Sequence, residues 1–382
     1  MVRIARGWIV VCVLAASVCT AAPGADRVAV SVAPPATAPA TAPARLASGP
    51  IRVFDLAGDP AALGAAHGQL LKAEIRDLHA RYFKAWFRNA FEHKMALLNA
   101  ALFDVMARDE HRQEIVALAK AIDLDPREVM LGSCFVDMIA ITACSTVTLP
   151  ADAAPDGVAR FGRNLDFPGL DIADKHSVVL VYRPAGRHAF AAVSWPGLVG
   201  VMSGMNEHGL ALANMEVRRE RAVPRAMPYA LLYRTLLERC RTVDEAVALL
   251  EKTPRQTANN LMLMDAAGAR AVVEITPDKV TVRRAADADA LMSTNHQRGA
   301  DAAMAGRCRR YDFLHDAAAR DFGRIDVPRL QSMLAGASQG KFTLQSMIFE
   351  PSTRVLYLAV GADAARREFQ RIDLKPRFAR KD

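Results

Sequence analysis

The sequence predicts an α+β fold with antiparallel sheets, and three features of the 382-residue chain support this class. Residues 59 to about 122 place apolar side chains at helical spacing. Short strands bounded by turn-forming residues begin near residue 144. Helical segments then interrupt these strands, and strands return after them. Runs of strands, then helices, then strands differ from the strict alternation of a doubly wound fold.

The N-terminus predicts an exported protein. Residues 1–23 combine the positive charges of Arg3 and Arg6 with an apolar run too short to span a bilayer, which is typical of a cleaved signal peptide. Residues 24–49 are rich in Pro, Ala and Thr and predict an extended linker. We therefore expect a periplasmic or secreted protein, and no later segment predicts a membrane span.

Helical signals fill residues 50–143. Asp59 and Asp125 each precede a proline, which is the pattern of a helix cap followed by a first turn. Strand signals follow at "CSTVTLP", "ARFGRNLDF", "SVVLVYRP", "HAFAAVSWPG" and "GVMSGMNEHGLALANMEV". Thr242 and Glu245 form a capping box that opens a later helix. Further strands and two more helices are expected before the C-terminus.

The net charge of +8 does not by itself indicate nucleic-acid binding, because Lys and Arg are spread along the chain without interleaved aromatic residues. The cysteines beyond the signal peptide, at 134, 144, 240 and 308, match no metal-ligand spacing. No phosphate loop or dinucleotide motif is present, so we expect no cofactor and no metal. Export would permit a disulfide among Cys134, Cys240 and Cys308.

Cys144 has three interpretations. Most free cysteines are buried apolar residues, and this one opens no helix that would lower its pKa. A histidine-assisted nucleophile would need a base, with candidates His176, His188, His208 and, most plausibly, His296. Alternatively, cleavage before Cys144 would free its α-amino group, whose ordinary pKa of about 7.7–8.0 suits a general base at neutral pH.

Several motifs in order carry a resemblance to a known group. "FGRNLDF", "VVLVYRPAGRHAF", "MNEHGLALANMEV" and "MSTNHQ" resemble the N-terminal-nucleophile hydrolases of the choloylglycine hydrolase and penicillin V acylase group. The helical "GAAHGQLLKAEI" and the "TNH" motif look still more like the autoproteolytic acyltransferases that include isopenicillin N acyltransferase. The resemblance extends from about Ile51 to the C-terminus. It implies a four-layer αββα sandwich, with a helical pro-segment at 50–143 and a catalytic core at 144–382.

The resemblance also implies residue roles. Cys144 matches the nucleophile exposed by self-cleavage of the Ala143–Cys144 bond. Arg163 and Asp166 match an arginine that favours the thiolate and a carboxylate that binds the α-ammonium group. The 143 residues before the nucleophile favour the autoproteolytic branch and make bile salts a less suitable substrate.

The remaining implied roles surround the acyl group. Asn214 and Asn295 match residues around the acyl oxyanion, where an amide donor can be worth about 10²–10³ in rate. Arg310 matches a further arginine near the nucleophile, and Arg354 competes for that role. Outside these motifs, His67 is expected to be a packed histidine. Trp195 is expected to be an aromatic residue at a turn rather than part of an acyl pocket.

We therefore predict an exported, self-cleaving cysteine amidase or acyltransferase that acts on a C–N amide bond through a thioester on Cys144. Its partner would be a small-molecule amide or acyl substrate, with no nucleic acid and no stable membrane span. Two alternatives remain: a non-catalytic exported binding or scaffold protein that keeps the fold, and a histidine-assisted cysteine hydrolase that is active without cleavage. The oligomeric state is not predicted.

Overall fold

A computed structural model describes residues 46, 49–139, 143–217, 225–286, 289–299 and 308–379. The predicted signal peptide and nearly all of the predicted linker lie outside these residues. Within the described ranges, no helix combines the length and the apolar character needed to cross a bilayer.

The N-terminal region is mainly helical, as predicted. Its helices are α1 (Pro60–Asp77), α2 (Ala90–Met106), α3 (Asp109–Ile122) and α4 (Pro126–Met138). A π-helical segment, Leu78–Phe83, continues α1 into one further turn, Lys84–Trp86. The helical pattern expected from 59 to 122 is therefore divided, with breaks before Ala90 and before Asp109.

Side-chain caps begin these helices. The Asp59 carboxylate accepts a hydrogen bond from the Ala62 N–H at 2.8 Å, as its Asp-Pro pattern predicted. Asp125 accepts from the Arg127 N–H at 2.8 Å. Asn89 accepts from the Glu92 N–H at 3.0 Å, and it marks a helix start inside the segment whose spacing is helical. A local cap thus explains one of the two breaks.

Fourteen strands, numbered in chain order, form two sheets among the described residues. The first sheet runs in the order β1 (Val53–Gly58), β4 (Val178–Pro184), β5 (Phe190–Ser194), β6 (Ser203–Asn206), β7 (Ala211–Glu216), β8 (Asn259–Met264), β9 (Arg270–Ile275) and β10 (Val280–Arg284). The second runs in the order β11 (Leu291–Ser293), β2 (Ser145–Leu149), β3 (Arg160–Asp166), β12 (Thr343–Glu350), β13 (Val355–Val360) and β14 (Gln370–Asp373).

Neighbouring strands pair in antiparallel fashion except β1 and β4, which are parallel with Val53 opposite Val179. This pair departs from the purely antiparallel expectation. Since β1 belongs to the predicted pro-segment and β4 to the predicted core, the N-terminal region contributes an edge strand to the first sheet.

The sheets pack face to face and helices cover their outer faces. The helices on the first sheet are α5 (Tyr229–Arg239) and α6 (Val243–Lys252), and those on the second are α7 (Arg309–Arg320) and α8 (Val327–Gly336). Between the sheets, the Thr148 hydroxyl lies 3.9 Å from the sulfur of Met262. On the outer side, a Cβ added at Gly162 would lie 3.2 Å from Leu330 of α8. The α+β class and the four-layer order are confirmed.

A buried ion network joins the N-terminal helices to the core. The Arg234 guanidinium on α5 donates to both carboxylate oxygens of Glu114 on α3, at 2.9 and 2.6 Å. Its Nε donates to Glu238 at 2.7 Å, and its guanidinium carbon lies 4.6 Å from the centre of the Tyr182 ring. These three charged side chains are at most 4% exposed, so their charges depend on one another for solvation.

Candidate active site

Cys144 lies one residue before β2 and is 3% exposed. The β2–β3 register places Ser145 opposite Asn164 and Thr146 opposite Arg163, so the end of β3 lies beside the cysteine. The Asp166 backbone N–H favours the thiolate form and so lowers the pKa of the Cys144 thiol. Strand pairing therefore places "GRNLD" against the predicted nucleophile.

The groups around the Cys144 thiol have opposite effects on its pKa. Burial raises the pKa of Cys144 above its usual range, and Arg163 partly offsets this effect. The Asp166 carboxylate raises the pKa further, whereas its backbone N–H and the Arg310 guanidinium lower it. The net shift is upward, so the thiol of the uncleaved chain is protonated at neutral pH.

Asp166 has only part of its hydrogen-bonding capacity filled. Its Oδ1 accepts from the Thr343 hydroxyl at 2.5 Å. Its Oδ2 lies 3.7 Å from Nη1 of Arg310 and accepts no hydrogen bond from a described residue. Burial raises the pKa of this carboxyl group to about 7, against the opposing effects of Thr343, Arg310 and Arg163. The uncleaved chain thus holds a buried carboxyl group that titrates near neutrality.

Arg163 is fully buried beside the thiol. Its Nη1 donates to the Asn214 carbonyl oxygen at 2.5 Å. Its Nε and Nη2 have no hydrogen-bond partner among the described residues. Unfilled donors on a buried cation are costly unless an anion or a polar ligand meets them, so this guanidinium is suited to a developing negative charge.

Arg310 links the remaining predicted residues. Its Nη1 donates to the Cys144 carbonyl oxygen at 2.5 Å, and its Nη2 donates to Asn295 Oδ1 at 3.1 Å. The Nδ2 of Asn295 donates to the Glu216 carbonyl oxygen at 2.7 Å. The Nδ2 of Asn214 lies 3.4 Å from Asn259 Oδ1, a long contact for a hydrogen bond. Of the two amides, Asn214 is therefore the less firmly bound donor.

The structure thus brings all the predicted site residues together. We call them the Cys144 cluster: Cys144, Arg163, Asp166, Asn214, Asn295 and Arg310. Ala143 precedes the cysteine and is also described. Their catalytic roles stay predictions.

Arg354 lies elsewhere. It has a positive φ of 60° in the turn between β12 and β13. Its Nε donates to the Glu207 carbonyl oxygen at 3.1 Å, in the turn between β6 and β7. Arg310 is therefore the arginine that meets Cys144, and the competing assignment of Arg354 is not supported.

The candidate histidine bases make other contacts. His176 lies 3.1 Å from Asp77, and His188 lies 3.0 Å from His208. The His296 carbonyl oxygen accepts from Asn260, and burial lowers the pKa of its ring. Among the described residues, no histidine is recorded in a hydrogen bond to Cys144. The histidine-assisted alternative therefore lacks its required contact in this structure.

His67 is a packed histidine, as expected. Its Nε2 accepts the Gly197 N–H at 3.0 Å. Burial and the charge of Arg234 lower its pKa to about 3, so the ring is neutral at physiological pH.

The four described cysteines are buried and free of disulfides. The permitted disulfide among Cys134, Cys240 and Cys308 is therefore absent within this part of the chain.

An apolar cavity borders the Cys144 cluster and contains about 590 Å³ of empty space, part of it open to solvent. Its aromatic lining consists of Tyr82, Phe83, Phe135, Phe167 and Trp195. Phe167 follows Asp166 directly, and Met202, also in the lining, accepts the Asn214 N–H at 3.1 Å. Trp195 therefore lines a cavity next to the cluster, contrary to the expectation of a plain turn aromatic.

Thr343 was missed in the sequence. It begins β12, where it lies opposite Asp166 on β3, and its hydroxyl fixes one carboxylate oxygen. No local motif marks "KFTLQ", because the contact depends on pairing between strands that are 177 residues apart. Asn259, which holds the Asn214 amide, was missed for the same reason.

The cluster offers nucleophilic chemistry. A thiol, a carboxyl group with a pKa of about 7 and two guanidinium groups converge on the peptide before β2. Within the described residues, it contains no group of three His, Cys, Asp or Glu ligands placed for a metal.

The chain is similar to known proteins in both sequence and structure. The family model for acyl-coenzyme A:6-aminopenicillanic acid acyl-transferase matches residues 153–365, more than half of the chain. Protein dcd1A of Dictyostelium discoideum is 25% identical over 230 residues. That match covers 52% of this chain and 52% of the relative, so the chain spans about half the relative's length.

Solved structures give weaker likenesses. The Caenorhabditis elegans ortholog of N-acylethanolamine-hydrolyzing acid amidase aligns with 60% of this chain and 99% of its own, at 15% identity and a TM-score of 0.46. A mutant conjugated bile acid hydrolase from Clostridium perfringens covers 61% and 93%, at 16% identity and a TM-score of 0.45. Penicillin V acylase from Agrobacterium tumefaciens covers 57% and 82%, at 16% identity and a TM-score of 0.42. With TM-scores below 0.5, the family assignment rests on the family model.

Proposed function

Because the chain belongs to the acyl-coenzyme A:6-aminopenicillanic acid acyl-transferase family, we propose that it is a self-cleaving enzyme with an N-terminal cysteine nucleophile. It cleaves a C–N amide bond and passes the acyl group to water or to an amine. The observation that carries this proposal is the convergence of Arg163, Asp166 and Arg310 on the buried residue Cys144.

Self-cleavage begins with attack of the Cys144 sulfur on the carbonyl carbon of Ala143. The S–C bond forms and the C–N bond between the two residues breaks. The thiol proton passes to the departing amino group, and Asp166 can carry it because its carboxyl group has a pKa of about 7. Water then hydrolyses the thioester, which releases the carboxylate of Ala143 and restores the thiol.

Cleavage changes the charge balance of the site. The new α-ammonium group of Cys144 supplies a cation close to Asp166, whose Oδ2 accepts no hydrogen bond from a described residue in the uncleaved chain. Opposite charges lower the pKa of the carboxyl group, so Asp166 becomes an ionised anchor for the amine. In its neutral form, the amine then serves as the general base.

Acyl transfer repeats the same chemistry on a substrate. The neutral amine takes the thiol proton, and the sulfur attacks the substrate carbonyl carbon. The amine proton passes to the leaving nitrogen as the C–N bond breaks, which leaves a thioester on Cys144. The loosely held Asn214 amide is available to donate to the oxyanion, and the free donors of Arg163 favour the thiolate.

The lining of the cavity beside the Cys144 cluster indicates which class of acyl group the substrate would carry. Its described lining is almost wholly apolar and rich in aromatic side chains, and among these residues His79 is the one ionisable side chain besides tyrosine. Such a lining favours an uncharged aliphatic or aromatic acyl chain over a charged one. Tyr82 and Phe135 come from the N-terminal region, so this region would shape the substrate site after cleavage, held to the core by the buried Glu114–Arg234 pair.

We also propose that the protein is exported. The proposal rests on the signal-like residues 1–23 and the Pro/Ala/Thr-rich segment after them.

Intact-mass analysis and amide hydrolysis test the proposal together. The wild-type protein is expected to run as two chains whose summed mass exceeds that of the precursor by one water. It should hydrolyse uncharged N-acyl p-nitroanilides. Cys144→Ala should remain one chain and be inactive, whereas Cys134→Ala, which alters another buried cysteine, should still be cleaved.

A second variant separates the proposal from its rival. His296→Gln leaves cleavage and activity intact if the α-amino group is the base. Loss of activity in this variant, with an uncleaved and active wild type, would instead establish the histidine-assisted mechanism. An intact and inactive wild type would leave only the scaffold interpretation.

A further inference from the structure

A cluster of metal-ligand side chains lies outside the Cys144 cluster. His188 precedes β5, and Glu207 and His208 form the turn between β6 and β7. Because β5 pairs with β6, with Phe190 opposite Asn206, the start of one strand meets the turn that follows the other. We propose that His188, Glu207 and His208 bind one divalent transition-metal ion, with Zn²⁺ the best fit.

The distances between donor atoms match a single ion. His208 Nε2 lies 3.0 Å from His188 Nδ1. Oε1 of Glu207 lies 3.5 Å from His188 Nδ1 and 3.8 Å from His208 Nε2. Tetrahedral zinc with bonds of about 2.0–2.1 Å has ligand atoms roughly 3.3–3.4 Å apart. Small side-chain movements would therefore let one ion contact all three residues.

The backbone holds these residues in place. Oδ1 of Asn206 accepts from the His208 N–H at 3.1 Å and from the Leu210 N–H at 3.0 Å, which fixes the turn. Oε1 of Glu207 accepts from the Ala189 N–H at 3.1 Å. Gly209 has a φ of +83°, and a Cβ there would lie 2.3 Å from the Pro351 carbonyl oxygen. This turn is therefore ordered before a metal arrives.

Exposure and ligand type favour zinc. The three side chains are 21% to 35% exposed, so water can reach a fourth coordination position. Two imidazoles and one carboxylate form a recurrent zinc ligand set, whereas Ca²⁺ and Mg²⁺ prefer oxygen ligands.

Nearby arginines oppose a cation. The positive charges of Arg241 and Arg354 both disfavour a further positive charge at His208. Arg354 directs its Nε at the Glu207 carbonyl oxygen, and the Glu207 carboxylate compensates part of the positive charge. We therefore expect affinity in the micromolar range rather than that of a closed four-ligand site.

The ion would have a structural role, since it would crosslink the start of β5 to the β6–β7 turn. None of its ligands belongs to the Cys144 cluster, so its occupancy is independent of the proposed acyl chemistry. The site can be tested on the complete protein whether or not self-cleavage occurs.

The experiment titrates tag-free, EDTA-treated protein with ZnCl₂ by calorimetry and measures bound metal by mass spectrometry. We expect about one zinc per chain, with Kd below about 10 μM, and a higher Tm when zinc is present. Co²⁺ should give the strong visible absorption of a tetrahedral site. His188→Ala and His208→Ala should each weaken binding at least tenfold and remove the Tm increase.

His315→Ala is the matched control, because His315 lies on an exposed helix face, away from the proposed ligands, and pairs with the adjacent residue Asp316. It should bind zinc like the wild type. Absence of zinc binding up to 1 mM in the folded wild-type protein would overturn the proposal. Unchanged binding in both His188→Ala and His208→Ala would overturn it equally.

Discussion

Replacing Arg234 with Met is expected to leave two buried carboxylates without their cation. Glu114 and Glu238 contact this guanidinium at 2.6–2.9 Å and are at most 4% exposed. Removing one partner of a buried ion pair usually costs about 3–5 kcal/mol, because the remaining charge stays desolvated. Arg234→Met should therefore weaken the contact between α3 and α5 severely.

The pKa of Glu238 gives an independent magnitude. Burial raises this pKa, but Arg234 and His111 more than offset the effect and hold it at about 2, against an ordinary value of 4.5. Each tenfold change in proton affinity corresponds to about 1.4 kcal/mol, so the ionised form is stabilised by about 3 kcal/mol in the folded state. This value, to which His111 also contributes, agrees in order of magnitude with the loss of about 3–5 kcal/mol expected from breaking the buried pair.

The sign of the pH effect follows from the same pKa. A carboxyl group with a lower pKa in the folded state stabilises the fold above the unfolded value of about 4.5. That stability is lost as the pH falls from about 4.5 towards about 2. Without Arg234, burial raises the pKa of Glu238, so the free-energy difference between wild type and Arg234→Met should be largest at pH 7 and shrink steadily as the pH falls towards about 2.

Urea unfolding followed by tryptophan fluorescence measures this loss. Both proteins carry Cys144→Ala, which the proposed chemistry predicts to keep the chain intact. Arg239→Met is the control, because Arg239 lies on the same helix and pairs with Glu110 of α3 at 2.8 Å, with both side chains about one-third exposed. Such a pair is worth at most about 1 kcal/mol. Equal losses in the two variants would refute the buried-network argument.

Three further predictions address packing, the cavity and the carboxyl group. Gly64→Ala would put a carbon 2.1 Å from the Glu114 carbonyl oxygen and should lower Tm. Gly132→Ala should not, because the new carbon would lie 3.6 Å from its nearest neighbour, the Phe83 ring. Equal Tm values in the two variants would contradict this. Gly132→Leu should fill the cavity and slow hydrolysis of bulky acyl amides about tenfold or more, while self-cleavage persists. Unchanged selectivity between acetyl and phenylacetyl amides would exclude the cavity as the acyl site. The folding stability of Cys144→Ala should fall as the pH rises from about 4 to about 7, because the pKa of Asp166 is raised to about 7 in the folded chain. Adding Asp166→Asn to this variant should remove the fall. An unchanged pH slope would contradict the assigned pKa.

Local signals predicted much of the fold. The Asp-Pro pairs predicted helix starts at Asp59 and Asp125, and the Thr242–Glu245 capping box predicted α6. Strand signals predicted β2 to β13, several of them bounded by turn-forming residues. These features depend on neighbours in the chain, which the sequence displays directly.

Pairing between strands that are far apart in the sequence was harder to predict. Nothing in "VFDLAG" indicates that β1 pairs in parallel with β4, because the partner lies more than 120 residues away. No helix start was predicted at Asn89, because apolar spacing continues through it. Such features require the tertiary structure.

The candidate site shows the same division. The six residues of the Cys144 cluster came from ordered motifs and a family resemblance, and the structure places them together. Thr343, Asn259 and the cavity role of Trp195 depend on strand pairing and on packing of the N-terminal helices. No local signal marks Thr343 or Asn259, and the position of Trp195 before a turn favoured the other interpretation of that residue.

The central claim is that Cys144 becomes an N-terminal nucleophile, and its 1,2-aminothiol can be detected directly. Purified protein is unfolded, treated with 2-cyanobenzothiazole, which reacts selectively with N-terminal cysteine, and mapped by peptide mass spectrometry. We predict one labelled site, on a peptide that begins Cys144-Ser145-Thr146. An unlabelled protein that nevertheless hydrolyses amides, or a peptide that runs unbroken through Ala143 and Cys144 in active protein, would contradict the account.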